Sequence, residues 1–110
     1  MKEALDVRRY VTTAGRDVFG EWISGLRDAR TQAKIVACVD RLALGNFGGC
    51  KSLGAGLYEL RINWGPGYRV YYALVGRTHV LLLCAGDKRS QSSDIQRARD
   101  YFKDYRERTK

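Results

Sequence analysis

Two arginines carry the first chemical suggestion in this sequence. Residues 57–63 (LYELRIN) and 68–74 (YRVYYAL) each alternate as strands do, and Trp64-Gly65-Pro66-Gly67 between them has the composition of a turn. A turn joining the two runs symmetrically sets Arg61 opposite Arg69, and alternation adds Glu59 and Tyr71 to the same face. Like charges directly opposite on a sheet repel, so this pair calls for an anion between them. A phosphate is one such anion, because guanidinium groups match its oxygens with a fork of hydrogen bonds. Glu59 is the other. An exposed Arg–Glu pair contributes only about 0–1 kcal/mol and fits an ordinary solvated face equally well. Further cations favour the phosphate. Lys51 lies just before the first of these strands, and Lys88 and Arg89 follow a third, so the sheet's connections can bring them to the arginine pair. The Tyr71 ring is expected to give a base a stacking platform, worth about 1–3 kcal/mol in single-strand binders. Cations beside an aromatic ring suit RNA better than a small acid.

These residues need a sheet and something to hold it. Residues 5–12 (LDVRRYVT) alternate as a short edge strand. Thr13 is expected to cap a helix in which Val18, Phe19, Trp22, Ile23 and Leu26 recur at helical spacing. Asp28 starts a second helix, with Ala29, Ala33, Val36, Val39 and Ala43 as its stripe, widened by Ile35, Cys38 and Leu42, and Gly45 ends it. The polar, glycine-rich stretch 45–56 reads as a connection. Residues 79–85 (HVLLLCA) are apolar on both faces, as in a central strand covered on each side. Ser93 and Gln96 have capping-box spacing, and Ile95, Ala98, Phe102 and Tyr105 follow along one helical face. The expected order is β-α-α-β-β-β-α: an α+β fold with a largely antiparallel sheet, an N-terminal helical hairpin and a C-terminal helix.

Composition agrees with this reading. A chain of 110 residues is the size of one domain with its own core, and 45% hydrophobic with 29% charged residues is a globular balance. The formal charge of +8 favours polyanionic partners. The surplus is most one-sided in residues 46–93, which hold six basic and two acidic side chains. Three cysteines without CxxC spacing, and no signal-like apolar stretch, point to a reducing cytoplasm. The longest apolar run, residues 80–85, is far short of the roughly 20 residues a spanning helix needs, so no membrane role is expected. Cysteines and histidine lack zinc spacing. Cys38 and Cys84 read as core and Cys50 as a loop-borne thiol open to reaction, while His79 reads as structural. Gly54-Ala55-Gly56 is followed by a strand where a nucleotide loop needs a helix.

The segments GLYELRINWGPGYRVYYAL (residues 56–74) and LLLCAGDKRSQSSDIQRA (residues 81–98) together resemble the RelE superfamily of toxins, and within it the HigB-like branch of addiction module killer proteins. The resemblance runs over nearly the whole chain and implies one RelE-like toxin domain over residues 1–110. It further implies neutralisation by a co-encoded antitoxin, expected to be a helix-turn-helix protein, and metal- and cofactor-free cleavage of mRNA on the ribosome. In such enzymes the ribose 2′-OH attacks the adjacent phosphate, which requires a proton acceptor, a proton donor for the leaving 5′-oxygen, and stabilisation of the anionic phosphorane. Arginine stays protonated to a pH above about 12, so Arg61 and Arg69 would stabilise charge. Lys51 or Lys88 would move protons, with Lys88 preferred, while Tyr71, Arg89 and Gln91 would hold RNA. Several members of the superfamily carry a tyrosine or histidine in or just before the last helix. Here Ser90, Gln91, Ser92 and Ser93 stand there, so proton transfer is less well supplied. Two other readings remain: a ParE-like poison of DNA gyrase that shares the architecture without nuclease activity, and a non-catalytic RNA- or protein-binding module.

Overall fold

The computed structural model describes residues 4–110. In chain order it contains β1 (Asp6–Arg9), α1 (Val18–Ser24), α2 (Ala29–Ala43), β2 (Cys50–Gly54), β3 (Leu57–Ile62), β4 (Tyr68–Val75), β5 (His79–Asp87) and α3 (Gln91–Arg108). A single 3-10 turn, Lys88–Ser90, leads into α3. The strands form one sheet in the order β1-β5-β4-β3-β2. Only β1 runs parallel to its neighbour, β5; the other pairs are antiparallel. The mixed α+β class with a largely antiparallel sheet therefore stands, as do the edge position of β1 and the interior position of β5.

Four local expectations are corrected. The stretch 45–56 is not wholly a connection, because Cys50–Gly54 pairs with β3 as an additional edge strand. Its residues, CKSLG, lack the alternation and β-branching that mark a strand, and cross-strand backbone pairing makes it one. Asp17, not Thr13, caps α1, accepting from the Gly20 amide at 3.0 Å. Gly15 at φ +84° forms a left-handed turn that a helix starting at Thr13 could not contain. On α2 the inward stripe is Ile35, Cys38, Val39 and Leu42, while Val36 is exposed. Ser93 lies inside α3 and donates to the Ser90 carbonyl at 3.0 Å, so it caps nothing.

Each face of the sheet has its own core. On one side Leu60, Ile62, Val70, Tyr72, Val80 and Leu82 pack against Phe19 of α1 and Ile35, Val39 and Leu42 of α2. On the other, Leu57, Tyr71, Ala73, Leu81 and Leu83 pack against Ala98 and Phe102 of α3. A bulge in the β4–β5 ladder, where Tyr71 pairs with Cys84 and Tyr72 with Leu82, lets Leu83 and Cys84 both join the α3 core.

Beyond the bulge, Gly86 pairs with Arg69 and lies directly under the start of α3. A β-carbon there would collide with the Asp94 carboxylate and the Ser90 hydroxyl, and Asp94 is itself buried. Gly86→Ala is therefore expected to lower stability by about 1–3 kcal/mol through overpacking. A urea midpoint equal to that of the parent protein would show that α3 moves aside freely.

Candidate functional site

The β3–β4 register sets Glu59 opposite Tyr71 and Arg61 opposite Arg69, on the α3 side of the sheet. The four side chains differ in depth. Arg61 is about half exposed at 50%, Arg69 is 12% exposed, and Glu59 and Tyr71 are both fully buried. Because α3 begins over Gly86, its first residue reaches back to the carboxylate. Gln91 Nε2 donates to Glu59 Oε2 at 2.8 Å, and Arg61 Nε donates to Oε1 at 3.0 Å. Arg69 Nε stands 3.7 Å from the same Oε1.

Glu59 is thus the anion that the opposed arginines require. Burial by itself pushes its carboxyl up, but hydrogen bonds from Gln91 and Arg61, with the charges of Arg69 and Arg61, bring it below its ordinary value. The group is ionised at neutral pH. Each arginine turns its Nε edge inward, and among the described residues neither has an Nη hydrogen bond to the protein. The buried Arg69 Nε and Tyr71 hydroxyl also lack hydrogen-bond partners among the described residues.

Above this layer opens a surface pocket of about 440 Å³, whose walls include Arg61, Trp64, Tyr68, Arg69 and Lys88. Gly65 and Gly67, at φ +57° and +85°, turn the chain sharply enough to hold Trp64 at the rim. The indole is fixed by its Nε1 donating to Thr31 Oγ1 at 3.0 Å and remains 38% exposed. Lys34 Nζ lies 5.8 Å from the ring centroid. Three cations against one carboxylate leave the pocket with an excess of positive charge, and free guanidinium nitrogens are suited to oxyanions.

The Phage derived protein Gp49-like (DUF891) family matches residues 21–103. That span takes in α2, every strand from β2 to β5 and most of α3. The chain belongs to the Gp49-like family. This family lies in the RelE/toxin-like addiction module class, and its members are generally toxins of toxin–antitoxin modules, which implies an antitoxin partner. An uncharacterized protein of Haemophilus influenzae is similar to this Gp49-like chain, 48% identical over 81 residues that cover 74% of the chain and 82% of the relative.

Of the residues singled out in the sequence, the Gp49-like fold brings Arg61, Arg69 and Lys88 to one pocket. Lys51 pairs with Glu59 in the β2–β3 ladder and so shares that face, but it stands exposed on the outermost strand, outside the pocket lining. Arg89 is bonded to Asp87 at 3.1 Å, on the same short turn as Lys88. Gln91 is engaged inward with Glu59, where it orients the carboxylate and has its amide turned away from a ligand.

Tyr71 is the clear correction. Its ring is fully buried in the α3 core and cannot stack on a base. Burial first, then the nearby charges of Glu59 and Asp94, raises its phenol well above the ordinary value, so it stays a neutral donor beneath the site. The exposed ring at the pocket is Trp64, which lies in the turn; Tyr68 also lines the pocket, but alternation along β4 puts it on the opposite face from Arg69, and there it packs edge-on against Trp22. An indole inside a Gly- and Pro-rich turn, where turn geometry asks for no ring, was the signal for Trp64.

Cys50 is likewise not loop-borne. It lies in β2, half-buried, and burial raises its thiol pKa, which disfavours the reactive thiolate. Cys38 and Cys84 are core residues. Among the described residues no group of three His, Cys, Asp or Glu side chains could hold a metal ion, and no helix is long and apolar enough to cross a membrane.

Proposed function

We propose that this Gp49-like toxin is of the HigB kind and cuts mRNA on the ribosome, using the Arg61–Arg69–Lys88 pocket to hold the scissile phosphate. The observation that carries the proposal is the meeting of these three cations in one pocket over a single buried carboxylate. In the proposed reaction the ribose 2′-oxygen forms a bond to phosphorus as the bond to the 5′-oxygen breaks. The outward Nη groups of Arg61 and Arg69 stabilise the phosphorane, and Lys88 gives a proton to the leaving oxygen. Trp64, at the pocket rim, offers a face to a neighbouring base.

The proton acceptor for the 2′-OH is the sparse component. Both oxygens of Glu59 face protein donors, and its lowered pKa makes it a poor base. Lys51 is on the right face but outside the pocket. This shortage favours the ribosome-dependent form of the activity, in which the decoding centre completes the proton relay. The neutralising partner proposed is a helix-turn-helix antitoxin, and the proposed setting is the cytoplasm.

A reconstituted translation reaction with the purified toxin tests the reading. Cleavage of a defined mRNA within its translated region, dependent on ribosomes and reversed by antitoxin, is expected. Intact mRNA would sink the nuclease reading, and intact mRNA with blocked DNA supercoiling would move the target to gyrase.

A further inference from the structure

Away from the arginine pocket, α3 carries a second positive surface. Arg99, Lys103 and Arg106 are exposed on this helix at a spacing of four and three residues, which sets them along one face. With Ala55, Leu57 and Phe102 they line a cleft of about 230 Å³ between α3 and the turn that joins β2 to β3. The cleft shares no lining residue with the first pocket. Leu57 lies four residues back along β3 from Arg61, a distance of about 13 Å.

None of these cations is neutralised within the chain. Among the described residues Arg99, Lys103 and Arg106 form no salt bridge. Arg99 Nη2 donates to the Leu53 carbonyl at 3.2 Å, which braces the turn against the helix. The guanidinium carbon of Arg106 stands 4.2 Å from the centre of the Phe102 ring, a stack that fixes the group and leaves its N–H edges for an oxyanion. Asp100 is the acid of the lining, and its Oδ1 already accepts from Gln96 Nε2 at 3.1 Å.

The floor separates carboxylates from RNA as the source of that oxyanion. Phe102 is 7% exposed and has Arg106 across it, so it offers no open ring on which a base could stack. The volume is below the roughly 300–1,000 Å³ of sites that enclose small molecules, and it suits a single apolar side chain. Ala55, at φ +53°, is the only non-glycine with a positive φ among the described residues. A two-residue hairpin turn favours Asn, Asp or Gly at such a position, and alanine there gives the cleft a methyl wall in place of a polar one.

We infer that this cleft is a docking site for the antitoxin and receives an acidic segment that seats one large apolar side chain between flanking carboxylates. The inference rests on the toxin–antitoxin character of the Gp49-like family and is independent of what the arginine pocket binds.

Four fluorescein-labelled probes test it against the whole protein by anisotropy at 0.15 M salt: a peptide with glutamates around a central leucine, the same peptide with serine for leucine, a third with lysines for the glutamates, and a 2′-O-methylated RNA hexamer. The glutamate–leucine peptide is expected to bind, and its serine counterpart to bind about tenfold more weakly. Reversing two charges of the cleft, Lys103→Glu with Arg106→Glu, is expected to weaken the glutamate–leucine peptide by more than tenfold and to strengthen the lysine peptide. RNA affinity should stay within about twofold, because the arginine pocket lies beyond the roughly 8 Å screening length at that salt.

No binding of the glutamate–leucine peptide, equal binding of the leucine and serine peptides, or binding indifferent to the charge reversal would each overturn the docking site. An RNA loss larger than the peptide loss would make this face an RNA contact and overturn it as well. Lys103 has no hydrogen bond or ion pair among the described residues, so Lys103→Glu alone is expected to melt with the parent protein and still to weaken the glutamate–leucine peptide severalfold. All of these outcomes are read without mRNA cleavage, so a failure of the nuclease reading leaves them unchanged.

Discussion

Arg69→Ala is expected to reduce mRNA cleavage in the reconstituted translation reaction by about a hundred- to a thousandfold, the usual cost of removing one donor aimed at a developing oxyanion. Arg69 is the better placed of the two arginines for this role. It is only 12% exposed, so its charge acts through a less watery medium than that of half-exposed Arg61. It also lies between Arg61 on β3 and Gly86 on β5, in the middle of the sheet, where the backbone fixes its origin. Arg61→Ala is expected to cost less, about tenfold to a hundredfold, because water can partly replace an exposed guanidinium.

Strand alternation by itself places both arginines on a solvent face, where a change to alanine is expected to disturb stability little. For Arg69 that expectation no longer holds, because its removal takes away one of the cations facing a buried carboxylate. Arg69→Lys separates the two effects. It keeps a charge near Glu59 but loses the planar fork, so cleavage is expected to fall while the melting temperature stays near that of the parent protein. Full activity in Arg69→Lys would show that the pocket needs only a point charge there, and full activity in Arg69→Ala would move the chemistry elsewhere.

The largest stability effect is expected at Glu59. Glu59→Gln keeps the shape of the side chain and removes its charge, leaving Arg69 nearly buried without a counter-ion. Breaking a buried pair in this way costs on the order of 3 kcal/mol. For a domain of this size that is on the order of a 10–20 °C fall in melting temperature. Gln91 suffers too, since its Nε2 donor then faces an amide whose orientation must also serve Arg61.

The pH dependence has a definite sign. The folded protein holds the Glu59 carboxyl below its ordinary value, so at acid pH the unfolded chain binds the proton more readily. The stability that ionised Glu59 contributes is complete above the unfolded pKa of about 4.3 and is lost as pH falls through the lower folded value. Urea denaturation from pH 7 to pH 3 should therefore show the gap between parent and Glu59→Gln narrowing below about pH 4.3. A gap of constant size across that range would mean that the carboxylate's charge does not hold the site together.

Much of the site was legible because strand geometry is local. Alternation along residues 57–63 and 68–74, with one glycine- and proline-rich turn between them, is enough to put Arg61 across from Arg69 and Glu59 across from Tyr71. The apolar run from residue 79 likewise announced a strand covered on both faces. Periodicity says which side of the sheet a residue faces, but it does not say how much lies over it. Tyr71 was read as a surface ring for that reason, and it is the α3 helix, docked over Gly86 and Phe102's side of the sheet, that buries it.

Edges were harder than the centre. The residues of β2 carry little intrinsic strand preference and are extended because β3 offers them a ladder, which is a relation between segments. The start of α1 was misjudged because Thr13 and Asp17 are both good caps, and only the turn at Gly15 chooses between them.

What the amino-acid order determined by itself was the two-residue rhythm of the strands, the opposed arginines, and the positive surplus around them. Only the tertiary structure decided which anion stands between those arginines and which ring stands beside them. Glu59 became the buried counter-ion because α3 covers it and Gln91 reaches it, and Trp64 became the exposed ring because Thr31, 33 residues earlier, holds its indole at the rim. Burial and such distant hydrogen bonds arise from how elements stack in space, and a one-dimensional pattern carries no measure of that.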